Sequence, residues 1–156
     1  MSEVKGNYTK PQFYILLLLR LIIGYHFLFE GVNKLFNPSW SAVGFLLQSN
    51  WIFSDLFILI ANSPTLLAIS DFLNIWGQIL IGLALIIGLV SRYAAIGGAV
   101  LLLLYYVAYP PFIEGYTFVD RNLLEFLGLI IVMLFQTSYI IGVDGLLGKV
   151  RSEKNG

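Results

Sequence analysis

The chain has 156 residues, 58% of them apolar and only 12% charged, with a mean hydropathy of +0.84. An average soluble domain is roughly 25% charged, so a water-soluble fold of this size could not cover its own apolar surface. Nine Lys and Arg balance nine Asp and Glu, and there is no cysteine and a single histidine, His26; this composition argues against a charge-driven nucleic-acid partner, a disulfide, a thiolate metal site or a bis-histidine haem.

At the N-terminus, Lys5 and Lys10 precede an apolar run in the manner of a secretory signal. No small-x-small cleavage site follows, so the segment is expected to stay as an uncleaved first span. Crossing a hydrocarbon core of roughly 30 Å takes about 20 apolar helical residues. Four windows qualify, at about 12–31, 71–90, 93–109 and 122–141. The expected fold is all-α, a four-transmembrane-helix bundle forming one domain over 1–150, followed by a short cytoplasmic tail at 151–156.

Between the first two windows, 35–70 is apolar but broken by Asn37-Pro38, Gln48-Ser49-Asn50, Asp55 and Asn62-Ser63-Pro64. It is expected to lie along the interface as an outer loop, with Trp40, Phe45, Trp51, Phe53 and Phe57 at the headgroup level. A fifth span at 53–71 is the alternative, and it would have to bury Asn62-Ser63-Pro64. Lys5, Lys10, Arg92, Lys149, Arg151 and Lys154 fall on one side of the four-span topology and only Lys34 and Arg121 on the other. The positive-inside rule then puts both termini in the cytoplasm of a bacterial inner membrane. Ala84 with Gly88, Ala94 with Gly98, and Ala95 with Ala99 have the spacing of close helix packing.

Ionisable residues inside spans usually face the bundle interior and have partners. In the first window, His26, Glu30 and Lys34 are successive i, i+4 neighbours, with Arg20 on the same face. Asp71, Asn74 and Gln78 make a stripe on the second window, and Arg121 and Glu125 one on the fourth. Alternating directions bring these stripes to a similar depth in the outer half, where Asn122, Tyr105, Tyr106 and Tyr109 also arrive; Arg20 and Gln136 lie deeper. Three cations (Arg20, Lys34, Arg121) and three anions (Glu30, Asp71, Glu125) nearly neutralise one another. Three readings stay open: ion pairs that pin helices, a bound polar ligand, or a proton or ion path. Arg20 needs a carboxylate, several carbonyls or water to remain near the midplane.

Arg20-Leu-Ile-Ile-Gly24 with Phe27, Phe29, Glu30-Gly31 and Lys34-Leu35 resembles the first helix of the DoxX/DoxD-like membrane proteins. Gly82-Leu-Ala-Leu-Ile-Ile-Gly88-Leu-Val-Ser-Arg92 is similar to that family's second helix and basic turn, and Gly142-Val-Asp144-Gly145 to its closing segment. The resemblance implies a compact four-helix bundle. In the DoxD branch it implies the membrane subunit of a thiosulfate:quinone oxidoreductase working with a separate redox subunit. On that reading quinone is the cofactor, Glu30, Glu125 and His26 are candidate catalytic proton carriers, and Arg20, Lys34, Asp71, Asn74, Gln78 and Arg121 are candidate ligand-binding residues. The alternative is a non-enzymatic scaffold, assembly factor or small-solute carrier, and homo-oligomerisation is open in either case.

Overall fold

The computed structural model describes residues 3–4, 8–115 and 117–154; Lys5, one of the topogenic basic residues, lies outside them. A two-residue β ladder, β1 (Glu3–Val4) with β2 (Tyr8–Thr9), precedes helix α1 (Lys10–Leu35). The Gln12 side chain accepts the Thr9 N–H at 3.0 Å, and Pro11 occupies the first turn, where its missing N–H costs nothing. Helices α4 (Pro64–Ile87) and α5 (Ser91–Ala108) follow the outer loop as an antiparallel hairpin, and α6 (Arg121–Leu134) closes a ring in which α1 packs on α4 and α6, and α5 on α4 and α6.

The packing is inverted relative to a soluble bundle. Large apolar residues such as Tyr14, Leu18, Leu80, Tyr93 and Leu124 are exposed, while Ala95, Ala99, Gln78 and Arg20 are buried. Such a surface, running along helices of spanning length, suits contact with lipid tails. Among the described residues three helices, α1, α4 and α5, are long and apolar enough to cross a membrane. The chain is therefore a multi-pass integral membrane protein. Helix pairing in this setting relies on close approach of backbones, and α1 meets α4 at Gly24, Gly31 and Gly82. A side chain on Gly82 would fall on the Leu28 backbone.

The fourth window is corrected. Only 121–134 is α-helical, about 21 Å at a rise of about 1.5 Å per residue, which is too short to span alone. Thr137–Tyr139 then form a 3₁₀ turn, and α7 (Val143–Lys154) takes up most of what the sequence suggested was a tail. Ser and Thr in 137–138 favour local turns over helix continuation. Their non-helical backbone is tolerated because both residues are buried in protein, at 2% and 1% exposure. The segment still returns to the far end of the bundle, since the Asp144 N–H donates to the Gly88 carbonyl at 2.8 Å.

The fifth-span alternative is also excluded as one helix. The loop folds into α2 (Val43–Leu47) and α3 (Ser54–Asn62), and the chain breaks at Ser63, whose hydroxyl caps α4 by accepting the Leu66 N–H, with Pro64 at the first helical position. The second span thus starts earlier than the apolar window indicates. Phe57 is not an interfacial anchor: it is buried with Ala42, Leu46, Ala61 and Ala108 in a small core beneath the loop. Trp51 packs edge-on against Phe112.

Among the small residues, Ala94, Ala95, Gly98 and Ala99 lie in the α5 interface as spacing predicts. Gly88 has another role: it ends α4 at φ 71° in the left-handed region that glycine adopts freely. Val90, at φ 45°, has the same backbone hand without that freedom. The Asp144 carboxylate holds this turn, accepting the N–H groups of Val90 at 2.6 Å and Ser91 at 3.2 Å.

Candidate functional site

One end of the bundle contains a cavity of about 270 Å³. The C-terminal half of α1 contributes His26, Glu30 and Lys34, the middle of α4 contributes Asn74 and Gln78, and the start of α6 contributes Arg121, Asn122 and Glu125. These residues meet because α1 and α5 end where α4 and α6 begin. Tyr105 of α5 and Trp40 and Phe45 of the outer loop complete the wall. The loop is fixed over the cavity by α4 itself, since Asp71 Oδ1 accepts the Ala42 N–H at 2.8 Å.

Two polar constellations share this space. Lys34 Nζ donates to Gln78 Oε1 at 2.8 Å, Asn74 Oδ1 at 2.9 Å and the Tyr105 hydroxyl at 3.3 Å, and it sits 4.9 Å from the Trp40 ring centre. An ammonium has three N–H bonds, so neutral protein oxygens satisfy all of them. Tyr105 in turn donates to Asn74 Oδ1 at 2.6 Å. The second constellation is a histidine between two carboxylates: His26 Nδ1 lies 2.7 Å from Glu125 Oε1, and Nε2 lies 3.7 Å from Glu30 Oε1. The shorter contact is a hydrogen bond with either partner carrying the proton. The longer one is ion-pair distance and leaves room for movement or a bridging water. Glu125 is the more enclosed carboxylate, its side chain 10% exposed against 35% for Glu30.

Seven of the nine residues singled out in the sequence line this cavity: His26, Glu30, Lys34, Asn74, Gln78, Arg121 and Glu125. Asp71 does not; its carboxylate is taken by the outer loop. Arg20 does not either. Its Nη2 donates to the Ile141 carbonyl at 2.9 Å and its Nη1 to Thr137 Oγ1 at 3.3 Å, with Arg20 more than a turn of α1 from the nearest cavity residue, His26, toward the end where Gly88 and Gly142 touch. The interrupted fourth window explains this: the turn that stops α6 frees a carbonyl for the guanidinium. Of the tyrosines, Tyr106 binds the Phe118 carbonyl at 2.8 Å rather than facing the cavity.

Sequence reasoning missed Trp40, Ser41, Ala42 and Phe45 as lining residues. The aromatic character of Trp40 and Phe45 is equally that of an interfacial anchor, and it is contacts such as Asp71 with Ala42 and Trp40 with Lys34 that show the loop folding inward. Among the described residues no group of three or more His, Asp or Glu has the geometry to hold a metal ion.

A family model described as DoxX matches residues 15–110, well over half of the chain. The chain belongs to the DoxX family. The match runs from the second turn of α1 past the end of α5, and hence contains His26, Glu30, Lys34, Asn74, Gln78 and Tyr105, while Glu125, Arg121 and the Asp144 clamp of this DoxX protein lie beyond it. No curated protein and no solved structure matches the chain.

Proposed function

We propose that this DoxX protein is the membrane subunit of a quinone-linked oxidoreductase and that the polar cavity receives the quinone head. The observation that carries the reading is His26 between Glu125 and Glu30 in the same cavity as Lys34. A quinone accepts two electrons and two protons on its carbonyl oxygens when it becomes a quinol. Lys34 and Arg121 supply positive charge where those oxygens become electron-rich. His26 takes a proton from the more exposed Glu30 side on Nε2 and passes one from Nδ1 toward Glu125, so the pair of carboxylates and the imidazole move protons inward without a net change in their number. The chain has no cysteine to carry electrons, and they enter from a separate redox subunit, as in the DoxD-like reading. The proposal includes a bacterial inner membrane with both termini cytoplasmic; Lys10 and Arg92 head α1 and α5 at one end of the bundle, where α7 with Lys149, Arg151 and Lys154 also starts, against Lys34 and Arg121 at the other, an excess that supports that orientation.

One observation favours a second reading. Lys34 is already saturated by protein oxygens, as in a structural lock, and a non-enzymatic scaffold, assembly factor or solute carrier would need no more than that. Native mass spectrometry of protein extracted gently from its own membrane separates the two. A quinone mass bound one per chain in wild type and lost in Lys34→Met supports the subunit reading. A quinone-free protein whose melting temperature falls sharply in Lys34→Met moves the assignment to the scaffold or carrier.

A further inference from the structure

A second cavity, about 310 Å³, adjoins the polar one and shares Ala42, Phe45, Asn74 and Tyr105 with it. It runs between the outer-loop helices α2 and α3 and the facing sides of α4 and α5. Its remaining walls are hydrocarbon apart from Ser70, with Leu46, Phe57, Ile60 and Leu101 prominent and no charged side chain. The shared residues form a boundary of two characters. Asn74 Oδ1 and the Tyr105 hydroxyl are engaged with Lys34 and with each other, while the Tyr105 ring stacks edge-on with Phe45, ring centres 5.4 Å apart. Asn74 Oδ1 and the Tyr105 hydroxyl are therefore engaged on the side of the polar cavity, and the Phe45 and Tyr105 rings give its neighbour a hydrocarbon wall.

We infer that the two cavities are one site for a single amphipathic molecule: a polar head beside Lys34 and His26, and an apolar chain that passes the Phe45–Tyr105 pair and lies between the loop helices and α4–α5. This rests on the quinone-head reading for the identity of the head, and assigns the apolar cavity to the chain attached to it. Continuity is the physical argument. Neither compartment alone is much larger than the roughly 300 Å³ lower limit of small-molecule sites, whereas the joined space lies within the usual range and pairs apolar walls with a few convergent polar groups. In a bilayer a chain gains little simply by leaving water, so its preference for the groove comes from packing against fixed walls and from its tether to the head.

The test uses the full-length chain in lipid nanodiscs, titrated with a chainless dimethoxy-methyl-benzoquinone and with its decyl derivative, each corrected against empty nanodiscs. Leu73→Trp and Leu104→Trp fill the groove from two exposed positions that do not line the polar cavity, so the bundle core is untouched. Each variant is expected to weaken the decyl compound about tenfold, the scale of overpacking a fitted cavity, and to leave the chainless head within about twofold of wild type. Unchanged decyl affinity in both variants, with head binding intact, overturns the chain assignment alone and leaves bilayer lipid as the occupant. Equal weakening of both probes overturns the division into two compartments. Binding of neither probe to wild type overturns the quinone-head reading and this inference together.

Discussion

Two cations on α1, Arg20 buried and Lys34 half-buried, have opposite surroundings. Lys34 borders a cavity, and its three donors meet side-chain oxygens that belong to a wall other molecules can reach. Arg20 is 2% exposed and sealed at the other end, where it binds one backbone carbonyl and one hydroxyl and keeps a buried Nε with no hydrogen-bond partner. The difference lies in what closes over each. Around Arg20 the α4–α5 turn and the 3₁₀ segment approach through Gly88 and Gly142, with Asp144 clamping the turn. Around Lys34 the covering element is a loop of aromatic rings held by one carboxylate, and space persists between rings and helices. On the proposed reading Lys34 belongs to a ligand site walled by side chains, and Arg20 to a joint closed by a backbone carbonyl and a buried hydroxyl.

The largest expected effect is at the joint. Arg20→Ala removes two charge-assisted hydrogen bonds and most of a buried side chain, and should cost about 3 kcal/mol or more, seen as a large fall in melting temperature in detergent. The fraction that stays folded should bind quinone as wild type does; loss of binding in well-folded protein would erase the contrast between the two ends. Asp144→Ala should cost about 1–2 kcal/mol, the usual range for losing a helix cap, because it releases the Val90 and Ser91 N–H groups and the left-handed Val90 with them. A melt indistinguishable from wild type would mean that the clamp does not hold the turn.

At the cavity the order reverses, with small effects on stability and large ones on binding. Lys34→Met should move stability by no more than about 1 kcal/mol, since Asn74 and Tyr105 retain their mutual hydrogen bond and the vacated oxygens face the cavity, while quinone affinity falls at least about tenfold. Glu30→Gln is the mildest. At 3.7 Å from His26 it should leave melting and quinone affinity within about twofold of wild type and slow quinol formation with a competent electron donor. Unaltered turnover would remove Glu30 from the proton route.

Much of the cavity was legible because helix periodicity and alternating direction suffice to group i, i+4 polar residues at one depth. His26, Glu30 and Lys34 on one helix, Asn74 and Gln78 on the next, and Arg121 and Glu125 on the last needed no tertiary information beyond antiparallel order. Arg20 misled because it belongs to the broad polar side of α1 yet sits six residues before His26, next to a break at Gln136-Thr137-Ser138 that a window average absorbs among the apolar residues on either side. The outer loop misled in a different way. Tryptophan and phenylalanine at an interface have the same composition whether they lie in headgroups or fold over a cavity.

By itself, then, the sequence determined that the chain lives in a bilayer, how its long helices alternate, and which polar residues gather at one end, because hydropathy and periodicity are local properties of the chain. The tertiary structure alone decided that the fourth pass is a short helix and a turn, that Asp144 grips a turn 53 or 54 residues away in the chain, that Arg20 locks a joint, and that the loop makes a lid for two adjoining cavities. Each of these depends on which backbone atoms are left without an intrahelical partner and what long-range neighbour satisfies them, and no local pattern encodes that pairing.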